Sequence, residues 1–134
     1  MQRWMRLAGA AALTAVAAAA RPGAALADAR DYEFRLVTPE VKQGDGAIIA
    51  VRLVHRPTGR AVPDAVVYGT RLDMGPESMP TMTAPLAPVP GGEPGTYRFR
   101  TNLAMAGGWA LTLTAKVQGE EGTVQSRLVL RAAP

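Results

Sequence analysis

From Tyr32 onward, apolar and polar residues alternate in short runs punctuated by glycine and proline, the pattern of strands with one buried face. Trp109 to Gln118 carries it most clearly. Trp109, Leu111, Leu113, Ala115 and Val117 fall on one face, and Ala110, Thr112, Thr114, Lys116 and Gln118 on the other. Gly119-Glu120-Glu121-Gly122 predicts a hairpin-like turn into Thr123 to Arg131, where Val124, Leu128 and Leu130 oppose Gln125, Arg127 and Arg131. Tyr32 to Thr38, Ile48 to His55, Ala65 to Leu72 and Thr96 to Thr101 read as further strands. Pro57-Thr58-Gly59 marks a turn, because proline presets φ and glycine suits the turn's end. No segment after the leader sustains a 3.6-residue apolar period, and no internal repeat is evident.

Six or seven strands, each with one apolar face, predict an all-β fold: an immunoglobulin-like antiparallel β-sandwich of about seven strands. Its expected inner row holds Trp109, Leu111, Leu113, Val117, Leu128, Leu130, Tyr97 and Phe99. One stretch breaks the alternation. Asp73 to Gly95 contains Pro76, Pro80, Pro85, Pro88 and Pro90, so it reads as a long loop with at most a short edge strand at Ala84 to Ala87. A long ordered loop in a small domain is uncommon and often functional.

The N-terminus changes the charge picture. Met1 to Arg6 carries Arg3 and Arg6 and no acid. Leu7 to Ala20 is an uncharged, alanine-rich apolar run, and Ala25-Leu26-Ala27 supplies a small-x-small pattern. These three regions in order predict a signal peptide over residues 1–27, cleaved before Asp28, with one domain over 28–134. The apolar run is shorter than the roughly 18 to 20 residues of a bilayer span. The expected product is a soluble periplasmic protein without stable membrane insertion. Cleavage removes Arg3, Arg6 and Arg21, leaving 12 basic residues against 11 acids, a net charge of +1. No basic cluster along the sequence then argues for nucleic acid.

The chain has no cysteine, which excludes disulfides, thiolate metal sites, thiol nucleophiles and a lipoprotein anchor. Enzymatic inventory is equally thin: Ser78 and Ser126 are the only serines, and neither sits in a nucleophile-elbow setting. A binding protein is expected rather than an enzyme. The chemistry that remains is soft. Met74, Met79 and Met82 lie within nine residues, and Met105 precedes Gly107-Gly108-Trp109. Thioethers are neutral and polarisable and suit Cu(I) or Ag(I). Two or three of Met74, Met79, Met82 and Met105, with His55 as a further ligand, form the candidate metal site. The competing explanation is packing, since methionine fills irregular gaps and contacts aromatic rings. Asp73 and Glu77 read as solvated loop carboxylates, the arginines of Arg98/Arg100 and Arg127/Arg131 as wet strand faces, and Trp109 as core.

A set of motifs resembles the FixH/YtkA-like family over about residues 32–131. They are Val51 to His55, Pro57 to Val67, Asp73 to Met82 with its Met-Pro-x-Met core, Gly95-Thr-Tyr-Arg-Phe, and Met105-Ala-Gly-Gly-Trp-Ala-Leu-Thr-Leu. The resemblance implies an immunoglobulin-like sandwich and an association with copper handling, heavy-metal efflux or oxidase assembly. It places Met74, Met79, Met82 and Met105 on the family's methionine-bearing motifs. The implied function is a periplasmic accessory protein of copper or silver handling. The alternative is a metal-free interaction module that docks on a metal-efflux or oxidase-assembly protein. Unlike FixH proper, the sequence has no evident retained membrane helix, and it lacks the His/Met motif pairs of periplasmic copper chaperones.

Overall fold

A computed structural model describes residues 29–134; the leader expected over 1–27 and its cleavage point before Asp28 lie outside the described residues. Ten strands follow in chain order: β1 (Tyr32–Leu36), β2 (Glu40–Lys42), β3 (Gly44–His55), β4 (Arg60–Ala61), β5 (Ala65–Met74), β6 (Met79–Ala84), β7 (Ala87–Val89), β8 (Thr96–Leu103), β9 (Gly107–Val117) and β10 (Val124–Ala133). Short 3-10 turns occupy Ala29–Asp31 and Gly75–Glu77, and no α-helix occurs among the described residues. No helix among them is long and apolar enough to cross a membrane.

The strands form two sheets. In the first, the order is β1-β3-β8-β7, with β4 also on β3; in the second it is β2-β10-β9-β5-β6. The all-β sandwich read from the alternation is therefore present, with one departure. β2 runs parallel to β10, pairing Glu40, Val41 and Lys42 with Arg131, Ala132 and Ala133, so the second sheet is mixed. The chain changes sheets between β1 and β2 along one side and between β6 and β7 along the other, which ties both open sides of the sandwich.

Period-two alternation decides what is buried. Trp109, Leu111, Leu113, Val117, Leu130 and Phe99 are buried as expected, while Leu128 and Tyr97 are half-buried and pack against the same cluster. Phe99 and Tyr97 belong to the first sheet, which also contributes Phe34, Ile49, Val51 and Leu53; the others named belong to the second. The Tyr97 hydroxyl donates to the Val62 carbonyl at 2.7 Å and accepts the Ala65 N–H at 3.1 Å, fixing the stretch between β4 and β5 to β8. Burial pushes this hydroxyl's pKa up, and the Asp64 charge adds to that; the Ala65 N–H works the other way.

The Asp73–Gly95 stretch is not a long loop. β5 runs two residues beyond the expected Leu72, a 3-10 turn follows, and then come β6 and β7. The anticipated Ala84–Ala87 strand is instead the sheet change: Ala84 ends β6 in the second sheet and Ala87 begins β7 in the first. Prolines are tolerated because both are edge strands, where one side needs no ladder donor.

Candidate functional site

Three of the four candidate methionines belong to strands. Met74 closes β5 in the inward row with Leu72 and is 0% exposed; Met79 and Met82 lie on β6, half-buried against the core. This corrects the placement of Met74, Met79 and Met82 in a long loop over Asp73 to Gly95. β6 pairs with β5 through Leu72↔Ala84, Asp73↔Thr83 and Met74↔Met79. Between the last two pairs, β6 inserts Pro80, Thr81 and Met82 while β5 inserts nothing.

That bulge sets the site's geometry. In an unbroken strand, residues three apart point to opposite faces. Here Met79 faces inward because it opposes Met74, and Met82 faces inward because it precedes the outward Thr83. The insertion restores parity, so Met74, Met79 and Met82 share the inner face at the rim of the sandwich.

Two carboxylates build this corner. Asp73 is buried; its Oδ1 accepts the Gly75 N–H at 2.7 Å, and its Oδ2 accepts the Arg71 Nε–H at 3.0 Å. Arg71 also donates to the Pro80 carbonyl at 2.8 Å, which pins the start of the bulge. Ser78 takes up the left-handed conformation (φ 60°) that turns the chain into β6, and its N–H bonds the Gly75 carbonyl at 2.9 Å. Glu77 reaches across to accept the Gly108 N–H at 2.8 Å, a donor that β5 has ended too soon to pair. A Cβ at Gly108 would lie 3.0 Å from that of Pro76, so any larger residue here would have to push the 3-10 turn back by a few tenths of an ångström. Asp73 and Glu77, read as solvated, are the organisers of the corner. For Asp73 the signal was the Asp-x-Gly spacing of a side-chain-capped turn; the Glu77 contact, with a residue 31 positions on, had no local signal.

The Glu77 contact holds the Ala104–Ala106 turn beside the corner. Met105 is 39% exposed there, and its carbonyl accepts the Trp109 Nε1–H at 3.1 Å. His55 is not brought to this end. Gly44, at the start of β3, pairs with Leu103, next to the Met105 turn, whereas His55 ends β3 eleven residues on. At strand rise that is about 35 Å away. There His55 Nδ1 lies 2.8 Å from the Thr58 hydroxyl, and its ring lies 5.0 Å from that of Tyr32. The Tyr32 hydroxyl donates to Glu120 at 3.2 Å. Burial first, then the hydrogen bond and charge of Glu120 and the charge of Asp31, raise the Tyr32 pKa.

Among the described residues no group of three or more His, Cys, Asp or Glu side chains is placed to hold a metal ion. The donors gathered at the rim are thioethers, a set that fits a soft monovalent ion and offers little to a hard one. A family model described as YtkA-like matches residues 26–114, from ahead of β1 into β9. The chain belongs to the YtkA-like family. No curated protein matches the sequence significantly. The YtkA-like match takes in Met74, Met79, Met82 and Met105 and ends before β10, which sits between β2 and β9 in the second sheet.

Proposed function

We propose that this YtkA-like domain is a periplasmic accessory protein of copper or silver handling that takes one Cu(I) or Ag(I) at the methionine-bearing rim. Met79 and Met82 are the primary ligands, Met105 is a third thioether on the adjoining turn, and Met74 backs the pair from the core. The observation that carries this reading is the β6 bulge, which turns two half-buried methionines, three residues apart, to one face. Neutral thioethers bind without losing a proton, so affinity should be modest and nearly independent of pH between about 5 and 8. Such a site suits an ion that is passed on, and a metal-efflux or oxidase-assembly protein is the receiver in this reading.

One observation favours the alternative, a metal-free module docking on such a complex. Met79 and Met82 touch the core as packing residues would, and Pro80, Thr81, Thr83 and Pro85 leave an exposed edge beside them. Methyl-labelled methionine NMR during Ag(I) titration separates the two. The metal reading expects the Met79 and Met82 methyl signals to move and saturate at one equivalent, while Met74 stays nearly still. Unmoved signals throughout would leave the docking module as the function.

A further inference from the structure

The fold assembles a charge pattern that is dispersed in the sequence. On the outer face of the first sheet, Arg35 of β1 stands directly opposite Arg52 of β3. Arg52 faces Thr96 of β8, and Arg98 and Arg100 follow on the same face of β8, opposite Ala50 and Ile48. Arg35, Arg52 and Arg100 are exposed and Arg98 is half-exposed. Strand spacing and rise put the four guanidinium stems on a patch of about 10 by 13 Å.

Like charges directly opposite one another across a ladder destabilise it. Glu33, at the β1 rim of this face, is engaged by both Arg35 and Arg56, and Asp45, in the bulge at the start of β3, forms no ion pair with the arginines. Among the described residues no carboxylate lies within ion-pair distance of Arg52, Arg98 or Arg100. Between the arginines lie short uncharged side chains: Ile48, Ala50, Ala87 and Val89. The result is a flat array in which Arg52, Arg98 and Arg100 stand unneutralised beside the Glu33-paired Arg35, on a low apolar floor and on a domain whose net charge is only +1 after the expected cleavage.

We infer that this face docks on an anionic lipid surface. A planar lattice of phosphate headgroups meets all four guanidiniums at once, as a flat sheet face requires, and each arginine can take a phosphate in bidentate fashion. The contact is adsorption through headgroups, without insertion, and it leaves the methionine-bearing rim free to face a partner on the same membrane.

The chain from Asp28 to Pro134, the domain expected after cleavage, carries the ten strands and the buried core of the described residues and is the unit to test, with far-ultraviolet circular dichroism and a cooperative melt showing first that it folds. Its binding is measured by co-sedimentation with vesicles of phosphatidylcholine alone and of phosphatidylcholine mixed equally with phosphatidylglycerol. Binding is expected to the mixed vesicles only and to vanish at about 0.5 M salt, where the screening length is a few ångströms. Each arginine should contribute about fivefold to partitioning. Arg52→Glu with Arg100→Glu should therefore lose at least about 25-fold. Lys116→Glu with Arg131→Glu, of equal net charge but on the other sheet's outer face, should stay within about threefold. Arg52→Gln with Arg100→Gln serves if charge reversal impairs folding, which near-ultraviolet circular dichroism reports. No binding to the mixed vesicles, or equal loss in both double variants, overturns the inference. So does tighter, arginine-dependent binding to soluble poly-glutamate, which would assign the face to an acidic protein.

Discussion

Replacing Met74 separates packing from ligation at the rim. Its side chain is 0% exposed, closes the inward row of β5 and lies across the ladder from Met79. Truncation to alanine deletes a buried chain, for which cores lose about 2–5 kcal/mol. The rim can partly collapse, because Met79 and Met82 are only half-buried and flexible, so the lower half of that range applies: about 2–3 kcal/mol. In a domain of this size each kcal/mol moves the melting temperature by about 4 °C, which makes the expected drop about 10 °C. Met74→Leu keeps the volume and should cost less than about 1.5 kcal/mol. Thermal melts followed by circular dichroism measure both variants, and an Ag(I) titration of Met74→Leu completes the test. The affinity of that variant should match wild type within about twofold, since a sulfur sealed in the core is not a primary ligand. A Met74→Ala melt within 2 °C of wild type, taking about 4 °C per kcal/mol, would refute the packing argument. A stable Met74→Leu that loses metal at least tenfold would make Met74 a ligand.

Three other outcomes follow from single positions. The Thr101 hydroxyl is buried and, among the described residues, has no hydrogen-bond partner, so Thr101→Val should stabilise the domain by about 1 kcal/mol in urea unfolding. Gly95 has φ +87°, and a Cβ there would lie 2.5 Å from that of Ala61; strain and clash together should make Gly95→Ala cost about 3 kcal/mol in the same assay. The raised pKa of Tyr97 gives a pH test. Above the ordinary tyrosine value the unfolded chain loses this proton while the fold keeps it, so stability falls as pH rises past about 10. Tyr97→Phe should lower stability at neutral pH by about 1–2 kcal/mol, by orphaning Val62 O and Ala65 N–H, and should flatten the alkaline decline.

What could be read from residues alone was whatever regular alternation encodes. β9 is the clearest case: its inward residues are the heart of the core, with Gly107 at positive φ and Gly108 close against Pro76 just before Trp109. β2 and β4, three and two residues long, carry too few positions to show a period, and the parallel pairing of β2 depends on where the chain crosses between sheets. The corner at Met74 failed for a different reason. A three-residue bulge shifts parity in the middle of β6, so Met79 and Met82 look out of phase with a strand when they are in phase with its inner face. His55 shows a further limit: closeness to a turn does not tell which end of a sandwich the turn occupies, and the length of β3 separates it from the methionines. The arginine array could not be read from any one strand, because it is made by register between three.

In the proposed function Met79 and Met82 bind a soft metal ion together. Anaerobic titration of the domain with Cu(I) against a chromogenic Cu(I) chelator tests it most directly, comparing wild type with Met79→Leu, Met82→Leu and the double variant. Expected are one Cu(I) per wild-type chain, weaker binding in each single variant, and none in the double variant, with melting temperatures nearly unchanged because leucine keeps the packing volume. A double variant that binds Cu(I) as wild type does, or a wild type that takes none from the chelator, contradicts it.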